Sequence, residues 1–79
     1  MKEPTVTPEI AESFARQAMT VKPGNAINRA FAVAWLPANF RDKATWTFQK
    51  ETAEMLLAAL VGAGIYAKGN NLYYRKDAP

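Results

Sequence analysis

Seven residues near the C-terminus carry the side chains best suited to chemistry, namely Tyr66, Lys68, Asn70, Asn71, Tyr73, Arg75 and Lys76. Tyrosine rings stack on nucleobases, and lysine and arginine neutralise phosphate, so the mixture suits a nucleic-acid or acidic partner. The asparagines stand where the chain must reverse. Gly69-Asn70 or Asn70-Asn71 tolerates the positive φ angles of a two-residue hairpin turn. With either loop, Tyr66, Lys68, Tyr73 and Arg75 share one face of the ribbon, and Ile65, Ala67, Leu72 and Tyr74 the other. A three-residue loop would shift the register by one and swap one strand's faces. The more apolar face is expected on the core, with the tyrosines and cations turned to water.

Other chemistries find little to work with. Nucleophile–base pairs draw on histidine, cysteine or a well-placed lysine, and the chain has no histidine and no cysteine. Zinc sites built from those ligands and disulfide staples are excluded with them. The carboxylates Glu3, Glu9, Glu12, Asp42, Glu51, Glu54 and Asp77 are scattered at element starts, where capping and solubility account for them. Gly62-x-Gly64 lacks the further glycine and lysine of a phosphate loop. The expectation is a protein that binds and does not catalyse, with no metal, cofactor or small-molecule substrate.

The hairpin must be held by something apolar. From Met55 to Ile65 the chain is uncharged and almost wholly apolar, and residues 50–63 read as a helix buried on most sides. The run is too short for a membrane span, so no membrane partner is expected. Cover comes from the domain itself, a second copy or a partner. Thr45-Trp46-Thr47-Phe48-Gln49 alternates polar and apolar, which predicts a short strand over 45–49. Upstream, Thr7-Pro8-Glu9-Ile10 signals a capped helix over 8–19 with the stripe Ile10, Phe14, Ala18 and Met19. Residues 21–25 form a turn around Pro23-Gly24-Asn25.

Residues 26–36 stay open. As a helix capped by Asn25 they put Ile27, Ala30, Phe31, Ala34 and Trp35 on one stripe. As a strand they alternate through Ile27, Arg29, Phe31, Val33 and Trp35. Four alanines tilt towards helix and the β-branched and aromatic residues towards strand. Pro37 ends the element, and 37–44 reads as a loop. Either order, α-α-β-α-β-β or α-β-β-α-β-β, is one small α+β domain over 1–79, with 1–6 and 77–79 expected to fray.

The stretch Leu60-Val61-Gly62-Ala63-Gly64-Ile65 and the hairpin after it resemble the back half of a winged-helix domain, where a helix ends in a similar Ala-Gly pattern before a wing. The likeness covers residues 50–76. It implies a DNA-binding domain, with Lys50, Glu51, Thr52 and Glu54 on a recognition helix and Lys68, Asn70, Asn71 and Arg75 on the wing.

Net charge is +3, a mild bias that permits an acidic partner. Nucleic acid, met through the hairpin, is the first expectation. The alternative is a small interaction protein, of the size class common among phage and mobile-element products, that docks on a larger host protein complex and inhibits or modulates it. Trp35, Phe40, Arg41 and Lys43 would form that secondary partner surface, Trp46 is read mainly as core, and homodimerisation is open. No secretory leader is read at the polar N-terminus, and with no cysteine the expected location is cytoplasmic.

Overall fold

The computed structural model describes residues 4–76. They form a small α+β fold: α1 (Pro8–Ala18), β1 (Ala26–Ile27), α2 (Arg29–Val33), α3 (Ala38–Lys43), α4 (Trp46–Gly62), β2 (Tyr66–Lys68) and β3 (Tyr73–Arg75). The three strands make one antiparallel sheet in the order β1-β3-β2.

α1 starts as its sequence dictates. The Thr7 hydroxyl accepts from the Ile10 amide at 3.3 Å, and Pro8 fills the first turn, where no amide is needed. Phe14 and Ala18 are its buried residues. Residues 1–3 and 77–79, expected to fray, lie outside the described residues. Val6, placed in the same loose lead-in, instead packs against the core.

The open segment is neither of its two readings. Ala26 and Ile27 pair with Tyr74 and Tyr73 of β3. Asn28, not Asn25, then caps α2, its Oδ1 accepting from the Phe31 amide at 2.6 Å. A two-residue strand and a five-residue helix are each too short to leave a period in the sequence. The segment read as a loop holds α3, whose Phe40 is fully buried.

The strand expected over 45–49 is absent. Thr45 is an N-cap whose hydroxyl accepts from the Phe48 amide at 3.1 Å, and the Gln49 amide opens the helical ladder by donating to the Thr45 carbonyl. Trp46, Thr47 and Phe48 therefore form the first turn of α4. Buried Gln49 donates through Nε2 to the Ala44 carbonyl at 3.0 Å, tying the end of α3 to the start of α4.

α4 packs against α2, β2, α1 and α3. It buries Thr52, Ala53, Leu56, Leu57 and Leu60, while Met55, Ala58, Ala59 and Gly62 face solvent. The helix is covered on one side, less than its all-round apolar character suggested. It ends in a Schellman motif: Gly64 adopts φ 81°, its amide donates to Val61 and the Ile65 amide donates to Leu60.

Candidate nucleic-acid interface

The hairpin closes through a two-residue Asn70-Asn71 loop, with Gly69 donating to the Leu72 carbonyl at 2.7 Å and Asn71 at φ 64°. Tyr66 pairs with Arg75, Ala67 with Tyr74 and Lys68 with Tyr73, so the faces sort as the sequence predicts. Their orientation is the reverse. Tyr66 is 1% exposed and Tyr73 4%, whereas Tyr74 on the other face is 41% exposed. The expectation that Tyr66 and Tyr73 stack on bases is overturned.

The reason lies 48 residues upstream. The Tyr66 hydroxyl donates to the Ala18 carbonyl at 2.8 Å, at the end of α1. A tyrosine whose hydroxyl finds a buried acceptor serves as a large core residue. Burial pushes its phenol above the ordinary value of 10.0, an effect that the Arg75 guanidinium opposes. Arg75 is half-buried and already occupied: Nη1 donates to the Lys76 carbonyl at 2.6 Å and Nη2 lies 3.5 Å from the Met19 sulfur. It offers little to an outside ligand. Asn70 and Lys76 are exposed on the ribbon and stand apart from the cleft described next.

Lys68 and Asn71 do take part in a site. They form one wall of a cleft of about 370 Å3, together with Asn28, Arg29 and Ala30 around the start of α2 and Lys50 and Glu54 on α4; Tyr73 lies at its base. Two cations from two elements bracket one carboxylate, and Lys50 lines the same cleft. Arg29 Nη1 stands 2.9 Å from Glu54 Oε2, and Lys68 Nζ 3.9 Å from Glu54 Oε1. Lys68 also lies 5.8 Å from the Tyr73 ring centroid, so the buried tyrosine supports the cation as a floor. Lys50 sits 5.5 Å over the ring of Trp46, which is 53% exposed at the first position of α4. The preference for Trp46 as core is therefore also overturned.

Of the residues that the winged-helix likeness assigns to a recognition helix and a wing, Lys50, Glu54, Lys68 and Asn71 line the cleft. Glu51 is exposed away from the cleft, and Thr52 is buried with its hydroxyl donating to the Phe48 carbonyl at 2.8 Å. Arg29 was missed, being read as one position in an ambiguous run. An arginine directly after an asparagine N-cap was the signal available.

The secondary surface divides. Phe40 is fully buried and stacks on Phe48 at 6.4 Å, so it is no partner anchor. Trp35 is half-buried, edge-on to Phe14 at 5.2 Å and to Phe31 at 5.8 Å. Arg41 and Lys43 are exposed on α3. Among the described residues no group of three or more potential metal ligands stands together, and no helix is long and apolar enough to cross a membrane. Comparison of the chain with protein-family models, with curated proteins and with solved structures finds no match.

Proposed function

We propose that this is a non-enzymatic nucleic-acid-binding domain that holds the phosphate backbone in the cleft between α2, α4 and the hairpin. The carrying observation is a cleft lined by Arg29, Lys50 and Lys68, from three separate elements, in which Arg29 and Lys68 flank a single carboxylate. Like charges gathered in a cleft strengthen the field there and draw in an anion. Glu54 lowers the net charge, yet it also holds Arg29 and Lys68 in place before a ligand arrives.

The winged-helix-like reading gains support from β1, which falls between the first two helices where that arrangement wants a strand, and from α4 leading directly into the hairpin. The apolar interior of α4 offers few donors to base edges, so the contact is with backbone and not with sequence.

The test is titration of labelled oligonucleotides at roughly 50 and 200 mM salt. Arg29→Ala, Lys50→Ala and Lys68→Ala should each flatten the log–log salt slope by about 0.7 to 0.9. No binding at the lower salt, or a triple variant that binds like the parent, sinks the reading.

A second reading, docking on a larger protein or on a second copy, is favoured by the bare face of α4. Met55, Ala58, Ala59 and Gly62 are exposed beside a shallow hollow walled by Val6, Phe48 and Met55. A solution mass measurement separates a dimer from a monomer that awaits a foreign partner.

A further inference from the structure

We infer that Trp46 is a stacking platform for an unpaired base, and that the cleft therefore takes single-stranded nucleic acid in preference to duplex. The inference rests on the phosphate-binding reading above and names the strand that the site prefers.

A lone exposed tryptophan is ordinary on a protein surface. What sets Trp46 apart is its connection to the cleft. Its indole is 53% exposed, and Lys50, one helical turn on, belongs to both places at once. The Lys50 ammonium lies 5.5 Å from the indole centroid, and the same residue lines the cleft with Arg29 and Lys68. A nucleotide keeps its base and its own phosphate a comparable distance apart. A base on the indole face that Lys50 does not cover would have its flanking phosphates within reach of Lys50, with Arg29 and Lys68 further along the same cleft.

The placement is also firm. Trp46 follows the Thr45 cap in the first turn of α4, so its backbone is fixed by helical hydrogen bonds, and the Lys50 cation restrains the ring through its π face. Little ordering remains to be done on binding. The buried Tyr66 and Tyr73 cannot serve this purpose, because each is too deeply buried to offer a base an open ring face. Tyr74 is exposed, but its ring closes over Gly69 on the outer face of the sheet, opposite the Lys68 side.

A duplex cannot use such a platform well. Its bases are stacked on one another, and only a terminal pair presents a free face. An unpaired strand offers a face at every base, and stacking on tryptophan is tolerant of sequence. The recognised chemistry is thus a flexible phosphate backbone with accessible bases, whether ribose or deoxyribose.

The experiment uses the full chain with oligo(dT), oligo(U) and a duplex of equal length, followed by tryptophan emission and by anisotropy of the labelled strand. Single strands of either sugar should quench the emission, and the quench should vanish in Trp46→Phe, which retains Trp35 as an internal control. Trp46→Ala should weaken single-strand binding roughly tenfold and leave duplex binding nearly unchanged. Trp46→Phe also serves as the second variant should the alanine fail to fold, and its expected loss is smaller. Equal binding of Trp46→Ala and parent to single strands, or a parent that prefers duplex, overturns the platform while the cleft still stands. Failure of the parent to bind any of the three probes overturns both, and Trp46 and the cleft are then better read as a protein contact.

Discussion

Removing one oxygen tests the central inversion of this fold. Tyr66→Phe keeps the buried ring and deletes the hydroxyl that donates to the Ala18 carbonyl at 2.8 Å. That carbonyl is not orphaned by the change, because the Val21 amide also donates to it at 3.3 Å. The loss is therefore that of one net hydrogen bond, about 1 kcal/mol, and not the larger penalty of a stranded acceptor. In a domain of this size 1 kcal/mol lowers the melting midpoint by about 4 to 8 °C. The alkaline range adds a second reading of the same group. Burial raises the Tyr66 phenol above 10.0 in the fold, so above that pH the unfolded chain releases a proton that the folded chain keeps. The unfolded state then binds fewer protons, and stability falls as pH rises from 10.0 through the folded value, by at most about 1.4 kcal/mol per pH unit. Below 10.0 the full contribution is present. Tyr66→Phe lacks this term, so the gap between parent and variant should narrow as pH rises. Urea unfolding at neutral pH and at several alkaline pH values measures both effects. A variant as stable as the parent at neutral pH, with an identical alkaline limb, would refute the claim that the hydroxyl is held inside.

Phe40→Ala removes a fully buried ring stacked on Phe48, which costs about 3 to 5 kcal/mol. That approaches the whole stability expected of so small a domain, and circular dichroism should show a largely unfolded chain; a cooperative melt like the parent's would restore Phe40 as a surface anchor. Glu54→Gln keeps the cleft's shape and removes its one negative charge. Since Glu54 is 43% exposed, stability should change by less than about 1 kcal/mol, while oligonucleotide affinity and its salt dependence should both increase. Weaker binding would mean that Glu54 matters more for positioning Arg29 and Lys68 than for opposing phosphate.

Much of the local structure was legible. Thr7-Pro8 announced α1, the reading of residues 50–63 came within a residue of the end of α4, and a two-residue turn at Gly69-Asn70 or Asn70-Asn71 set which hairpin residues share a face. Local errors came from windows too short to carry a period. Thr45 to Gln49 alternates like a strand, but a capping threonine followed by a helix's first turn gives the same letters. β1 owes its existence to β3, far along the chain, and nothing within two residues can record that. The cleft was half visible, through Lys50, Glu54, Lys68 and Asn71; Arg29 joined it only when β1 and Asn28 had placed the start of α2.

Backbone preference, read residue by residue, determined where this chain turns, where its long helix stops and which side chains travel together on the ribbon. Which side of the ribbon goes inside was decided elsewhere. Both faces carry enough apolar surface to be buried, so the choice fell to a partner that the hairpin's own letters cannot contain. That partner is a carbonyl at the end of the first helix, waiting for a hydroxyl. A polar tip makes a ring look like surface until the fold supplies an acceptor, and supplying one is a property of three-dimensional assembly alone.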